Sequence, residues 1–208
     1  MTELELDKKK QVIGLYGEMQ LSMALHERGW QVHRAYIDEG IDFTITKYWC
    51  TKCQKFSNQF IKYSEYKDKK GKRSKRKCVT NLCEHCKEKE LKIISRYLQI
   101  KTSEGIATSD PDIREFSFHP KIRYDMGNNV FYVWIAVFEN EKEINNKICH
   151  FYIFNTKDLP LFYNTETDSY NITDNEKLTF TINKKGTVLN SSKLCFNDNF
   201  FDNFKILE

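Results

Sequence analysis

The chain has 208 residues, of which 40% are hydrophobic and 14% aromatic, an ordinary composition for a globular protein. This length suits one domain with a sizeable core, or one domain that carries a smaller insert. Only 8 Gly and 3 Pro argue against long low-complexity stretches, and the longest apolar run, Val130 to Phe138, is much shorter than the ~18 residues of a membrane span. The charged N-terminus lacks the apolar core of a signal peptide, so we expect a cytoplasmic protein with no membrane partner.

The net charge of +4 is unevenly distributed along the chain. Residues 50–101 contain 16 Lys and Arg against 5 Asp and Glu, a balance of +11, and the remaining residues have a balance of −7. Such a basic segment predicts a polyanionic partner, with a merely solvated lysine-rich loop as the alternative.

The first predicted element is a helix over residues 11–28, which follows a charged lead-in and ends before Gly29. Glu18 lies on the same side of this helix as Leu21, Ser22 and Leu25, so we expect it to turn inward. The predicted apolar surface is broad, and its members are Ile13, Tyr16, Gly17, Met19, Ala24 and Leu25.

Two strands follow the helix, over residues 30–36 and 41–46, with a turn at Asp38-Glu39-Gly40 between them. Asp42 opens the second strand, close to Asp38. Like charges this close need a cation or a raised pKa, and a bound metal ion supplies the cation. The strand pattern then stops at Tyr48-Trp49.

Two Cys-x-x-Cys motifs about thirty residues apart begin and end the next segment. In a reducing compartment this spacing is typical of a four-cysteine zinc ribbon, in which each motif gives two thiolates to a tetrahedral ion. The predicted ligands are Cys50, Cys53, Cys83 and Cys86, with Cys78 or His85 as the substitute for one of them. Four cysteines leave no open position for water, so the zinc is expected to be structural.

A strongly basic stretch, residues 62–77, lies between the two cysteine motifs and contains nine basic residues, two acids and two tyrosines. This composition is typical of a segment that lies along a phosphate backbone, and nothing in it indicates readout of bases. The predicted nucleic-acid-binding residues are Lys69, Lys70, Lys72, Arg73, Lys75, Arg76 and Lys77.

After the cysteine motifs, residues 96–103 form an apolar strand with two polar side chains, Gln99 and Lys101. Because side chains two apart on a strand share a face, these two should emerge together. Burying a polar amide beside an ammonium in so apolar a strand costs free energy unless both groups interact with a partner at a functional site.

The rest of the chain is expected to be largely β-structure. We predict a loop at residues 105–113, a strand at 130–138 that is buried on both faces, and a strand at 150–154 that ends at Asp158-Leu159-Pro160. A hairpin is predicted over residues 178–189, and residues 200–204 are expected to pack through their aromatic rings. Cys149 and Cys195 are interpreted as buried thiols.

The order of these elements resembles the PD-(D/E)xK nuclease superfamily, in particular its Mrr-like and Holliday-junction-resolvase-like branches. The similarity covers about residues 11–47 and 96–155, and the matching motifs are Gly17-Glu18, Gly29-Trp30-x-Val32, Gly40-Ile41-Asp42 and Gln99-Ile100-Lys101-Thr102-Ser103. The chain departs from the family's pattern in a long gap between Asp42 and Gln99, which the cysteine segment accounts for, and in Gln99, where Glu or Asp is commoner.

This resemblance implies an α/β fold with a restriction-endonuclease-like core, a central mixed sheet flanked by helices and an inserted zinc ribbon. The core would comprise residues 1–48 and 91–208, the second part with a C-terminal extension, and the insert residues 49–90. It also implies Mg²⁺ or Mn²⁺ bound by Glu18, Asp42 and the Ile100 carbonyl.

In the same resemblance Gln99 serves as a neutral ligand or orients a metal-bound water, and Lys101 orients the attacking water. Asp38 would be an acid just outside the metal ligands that partly makes up for the neutral Gln99. Thr102 and Ser103 would contact a phosphate or serve as ordinary strand-end hydroxyls.

Three hypotheses follow from the sequence. The first is a metal-dependent endonuclease that cuts double-stranded DNA, and the second a nuclease-like scaffold that binds nucleic acid or a partner with little or no cutting. The third has RNA as the substrate. By analogy of fold, a homodimer or a partner subunit of a defence or repair system is expected.

Overall fold

The computed structural model describes residues 3–34, 40–67, 69, 71–118, 129–138, 147–155, 163–164, 169–170, 178–191 and 200–208. Its elements in chain order are α1 (Glu3–Glu27), β1 (Gln31–Arg34), β2 (Phe43–Cys50), β3 (Lys55–Ser57), β4 (Gln59–Lys67), β5 (Arg73–Cys83), β6 (Leu91–Glu104), β7 (Ile106–Ala107), β8 (Ile113–Phe118), β9 (Val130–Phe138), β10 (Ile148–Asn155), β11 (Tyr163–Asn164), β12 (Ser169–Tyr170), β13 (Leu178–Asn183), β14 (Val188–Ser191) and a 3-10 helix (Phe204–Leu207).

The main sheet is mixed and has the strand order β1-β2-β6-β9-β10, with β3 added beside β2. Neighbouring strands are antiparallel except for β6 and β9, which pair in parallel. The predicted α/β class with a mixed sheet is therefore confirmed, and the helix, the two following strands and the Gln99-Lys101 strand occur in the predicted order.

Two hydrophobic cores lie on opposite faces of this sheet. On one face α1 packs through Ile13, Leu21 and Leu25 against Leu98 and residues of β9. On the other face a four-stranded sheet of order β14-β13-β8-β7 packs through Phe116 and Phe180 against a second set of β9 side chains. All nine residues of β9 are buried, as predicted, because β9 contributes to both cores.

The prediction of helices flanking the sheet was only half right. Within the described residues a single α-helix covers one face, and β-strands cover the other. None of the described helices is both long and apolar enough to cross a membrane.

The helix α1 is longer than predicted and differs in its apolar surface. It begins at Glu3 instead of residue 11. In the turn that follows its last residue, the Trp30 N–H donates to the Leu25 carbonyl and the Gly29 N–H donates to the His26 carbonyl. Gly29 has the positive φ, +80°, that is typical of a helix end. Five apolar side chains on its outer side are between 48% and 66% exposed: Leu4, Val12, Leu15, Met19 and Met23. Met19 therefore lies outside the core, because α1 is apolar on two opposite sides and the sequence pattern merges them.

Several strand boundaries also differ from the prediction. The strand β2 continues through Tyr48-Trp49 to Cys50, so the main sheet runs directly into the first cysteine motif. The predicted loop at 105–113 contains the short strand β7, which pairs with β8. The C-terminal hairpin is confirmed, with Gly186 at φ +89° in its turn.

Some predicted features fall outside the described residues: Asp38, Lys70, Cys195 and the segment Asp158-Leu159-Pro160. Cys149 is half-buried, and burial raises the pKa of its thiol to about 12.

Candidate metal centre and nucleic-acid interface

The two cysteine motifs fold into similar turns that face each other. In the first, the Gln54 N–H donates to the Cys50 carbonyl over 2.9 Å, and in the second the Lys87 N–H donates to the Cys83 carbonyl over 3.0 Å. Both donor residues have positive φ, 54° for Gln54 and 62° for Lys87. This turn curls each motif back on itself, so that its two thiols point to a common centre.

The four thiols form what we call the cysteine cluster: Cys50, Cys53, Cys83 and Cys86. Their sulfur atoms all lie within 4.8 Å of one another. The Cys50 and Cys86 sulfurs are 3.6 Å apart, and those of Cys53 and Cys83 are 3.7 Å apart. Tetrahedral zinc with Zn–S bonds of about 2.3 Å requires sulfurs about 3.8 Å apart, so the cluster fits zinc.

The two substitute ligands lie elsewhere. The Cys78 thiol is on β5, 3.5 Å from Ser64 Oγ, and His85 Nε2 is 3.1 Å from the Phe56 carbonyl oxygen. Neither belongs to the cysteine cluster, which therefore consists of the four residues first predicted.

The thiols in the cluster are not equivalent. Burial opposes ionisation of Cys83, but a hydrogen bond with the Ser57 hydroxyl and hydrogen bonds from the backbone amides of Cys86 and His85 lower its pKa to about 6. Burial raises the pKa of Cys53 to about 12, and contacts with the other thiols add to the rise. Ser57 is a partner that the sequence motif alone does not reveal.

Asp42 lies where the pairing of β2 with β6 ends. Its own N–H donates to the Leu98 carbonyl, and its Oδ2 accepts the Ile100 N–H over 2.5 Å. The Asp42 carboxylate thus accepts the hydrogen bond that a backbone carbonyl would accept if β2 were longer. Because the N–H and C=O of a strand residue point to the same side, the Ile100 carbonyl also faces this edge of β6.

Glu18 on α1 is close to the same edge and pairs with a cation. Arg34 Nη2 at the end of β1 lies 3.1 Å from Glu18 Oε2, whose side chain is 21% exposed. Burial is the main cause that raises the pKa of Glu18; Arg34 lowers it, and the negative charge of Asp42 raises it further. The charges of Glu18 and Asp42 are therefore close enough to influence each other.

Gln99 and Lys101 lie side by side on the face of the sheet away from α1. Their partners in β9 are Tyr132 and Trp134, which belong to the core beneath the second sheet. Gln99 is 5% exposed and Lys101 is half-buried. The structure thus brings Glu18, Asp42 and the Ile100 backbone to one edge, and places Gln99 and Lys101 together on the opposite face from α1.

The neighbouring hydroxyl residues have separate roles. Thr102 faces α1, where a methyl group at Gly17 would collide with Thr102 Oγ1 and lie 2.7 Å from its Cγ2. Ser103 faces the second sheet and accepts the Ser117 N–H at 3.4 Å. Gly17 thus allows α1 to approach β6 closely beside Glu18, a role that its place in the Gly-Glu motif indicates only indirectly.

The strands β4 and β5 form a two-stranded hairpin beyond the cysteine cluster, here called the basic hairpin. Its predicted nucleic-acid-binding residues within the described part of the chain are all exposed: Lys69, Lys72, Arg73, Lys75, Arg76 and Lys77.

Comparison with known proteins adds no relative to this description: no protein-family model, no curated protein and no solved structure matches the chain.

Proposed function

We propose that this protein is a metal-dependent endonuclease that hydrolyses phosphodiester bonds of double-stranded DNA, with a restriction-endonuclease-like core. The observation that carries the proposal is the hydrogen bond from the Ile100 N–H to the Asp42 carboxylate, with Glu18 close by. This contact joins the Asp42 motif to the Gln99-Ile100-Lys101 motif, although 56 residues of sequence separate Asp42 from Gln99.

The oxygen atoms at this edge suit a hard divalent cation. The Asp42 and Glu18 carboxylates and the Ile100 carbonyl would hold Mg²⁺ or Mn²⁺. The positive charge of the ion would offset the burial of the Glu18 carboxylate and its repulsion by Asp42, which both raise the Glu18 pKa. When bound, such an ion acts as a Lewis acid on a phosphate oxygen. Arg34 holds the Glu18 side chain in place until then.

Lys101 would stabilise the negative charge that develops on the phosphate and would orient the attacking water. Gln99 would help to orient water at the same site. Gln99 is buried on β6, which lies between β2 and β9 in the main sheet. Its neutral amide adds no negative charge, so metal affinity depends on Asp42 and Glu18.

The test is cleavage of supercoiled plasmid with and without Mg²⁺. Asp42→Asn keeps an oxygen that can accept the Ile100 N–H but removes the charge, and Lys101→Ala removes the ammonium. Each should reduce the cleavage rate by about a hundredfold or more. The matched controls are Asp7→Asn, exposed on α1, and Lys92→Ala, exposed on β6, which should cleave normally. Equal rates for all five proteins would contradict the site.

A second candidate is a nucleic-acid-binding module without cleavage. It is favoured by the neutral Gln99 and by the fact that the Asp42 carboxylate already has a structural partner in Ile100. Calorimetric titration with Mn²⁺ separates the two functions: binding that Asp42→Asn and Glu18→Gln abolish supports the nuclease, and no binding by the unaltered protein supports the module.

A further inference from the structure

The register of the basic hairpin divides its charges unequally between its two faces. Residues paired across an antiparallel ladder point to the same side, and neighbours along a strand alternate. One face, here called the basic face, therefore carries the pairs Tyr63 with Lys77, Glu65 with Lys75, and Lys67 with Arg73.

The opposite face carries the pairs Ser64 with Arg76 and Tyr66 with Ser74. Over these five pairs the basic face has four cations and one acid, and the opposite face one cation. All six side chains of the basic face are exposed.

We propose that the hairpin binds the phosphate backbone of double-stranded DNA through the basic face alone, an inference that rests on the proposed function and specifies its substrate. Lys77, Lys75 and Arg73 follow each other at two-residue intervals along β5, about 7 Å apart. A straight row of cations at this spacing matches a polyanionic strand that runs along the hairpin.

The aromatic residues favour a duplex over a single strand. Single-strand binding proteins place several aromatic rings among their cations, so that successive bases stack on them. Here Tyr63 is on the basic face and Tyr66 on the opposite face, so the row of cations has one ring beside it. Contacts to the backbone of paired DNA need no such rings.

The base of the hairpin is fixed to the rest of the protein, so the basic face has a defined direction. Gln59 at the start of β4 pairs with Cys83 at the end of β5, and Cys83 belongs to the cysteine cluster. The Asn58 N–H also donates to Glu84 Oε1 over 2.9 Å. The cluster in turn joins the hairpin to the main sheet, because its member Cys50 ends β2.

The test compares two arginines three residues apart on β5, with binding to a fluorescent 20-bp duplex measured by anisotropy without Mg²⁺. Arg73→Gln on the basic face should weaken binding about fivefold at 0.15 M salt, and lower the slope of log K against log salt by about one. Arg76 belongs to the nucleic-acid-binding residues predicted from the sequence, but it lies on the opposite face. We therefore expect Arg76→Gln, which makes the same charge change, to bind within twofold of the unaltered protein. Equal losses for both would overturn the proposal.

Two further measurements complete the test. The triple variant Arg73→Gln, Lys75→Gln, Lys77→Gln should lose about a hundredfold in affinity, and a control of equal charge, Lys8→Gln, Lys185→Gln, Lys205→Gln, should lose little. Unlabelled single-stranded DNA of the same sequence should compete at least tenfold less well than unlabelled duplex. Equal competition by the single strand would contradict the proposed preference for duplex.

The outcome is separable from that of the proposed function. If Arg73→Gln binds DNA normally and cleavage still depends on Asp42, the basic-face proposal is rejected and the nuclease proposal stands. If binding depends on the basic face but the unaltered protein does not cleave DNA, the nuclease proposal is rejected and the basic-face proposal stands.

Discussion

Asp42 links two strands that are distant in the sequence, through a hydrogen bond between its side chain and the backbone of Ile100. The strand β2 begins at Phe43, so the Ile100 N–H lies just beyond the ladder and takes its partner from the Asp42 side chain. An unpaired buried N–H would cost about 1–3 kcal/mol. An asparagine could satisfy the same donor, so the hydrogen bond by itself does not require the negative charge.

Gly17 sets the distance between α1 and the main sheet, and the helix offers a natural control in Gly14. Gly17→Ala should lower the free energy of unfolding by about 1–3 kcal/mol, because the new methyl group meets the branched Thr102 side chain. Gly14→Ala should raise it by up to about 1 kcal/mol, since nothing lies within 4 Å of the added group and alanine favours helix. Urea unfolding measures both.

The Gly17 effect should depend on Thr102. In the double variant Gly17→Ala, Thr102→Ala the loss should be smaller than the sum of the single losses, by about 1 kcal/mol. Additive losses would show that the methyl group is accommodated elsewhere.

Glu18 should make stability depend on pH in a predictable direction. Burial raises its pKa in the folded state, while the unfolded chain ionises near the ordinary value of about 4.3. Between these two values the folded state binds more protons, so the free energy of unfolding falls as pH rises, and above the folded pKa the loss is complete. Glu18→Gln lacks this group, and its stability relative to the unaltered protein should increase from pH 4 to pH 7.

Urea unfolding at several pH values, without divalent ions, measures this difference. Glu27→Gln is the control, because Glu27 is exposed at the end of the same helix. A Glu18→Gln variant whose relative stability decreases with rising pH would show that the ion pair with Arg34 outweighs burial.

At the scale of elements, β2, β5 and β6 define the position of the cysteine cluster. Strands β2 and β5 end at Cys50 and Cys83, and β6 begins at Leu91, opposite Cys50 in the sheet. The cluster thus closes the end of the main sheet where the basic hairpin departs. Among the β4 and β5 side chains whose burial the structure describes, only Cys83 is buried, so a metal ion in the cluster would contribute much of the hairpin's anchorage.

Loss of one cluster ligand should release zinc, and a cysteine outside the cluster should not matter. Cys53→Ser should reduce bound zinc from one ion per chain to well below one, and lower the unfolding temperature, because structural zinc contributes on the order of 10 kcal/mol to such modules. Cys78→Ser removes a thiol on the same segment that lies outside the cluster. Metal analysis after dialysis and thermal unfolding measure both, and zinc loss in Cys78→Ser would contradict the ligand set.

At the scale of the whole molecule, the main sheet separates two cores of different kind. One is closed by α1 and the 3-10 helix, the other by a four-stranded sheet. The uniformly apolar β9 predicted burial on both faces correctly. It did not indicate what covers each face, because a strand has the same composition whether a helix or a sheet packs on it.

The sequence alone determined the features that depend on local spacing. These are the four cysteines of the cluster, whose two-residue gaps suit one metal ion, the end of the helix before Gly29, the buried β9 and the hairpin at Gly186. Tertiary structure decided which of the two apolar sides of α1 is buried, and that the Asp42 carboxylate pairs with the Ile100 backbone. It also decided that the cations of the basic hairpin divide between two faces, because strand register and helix packing depend on contacts between residues far apart in the chain.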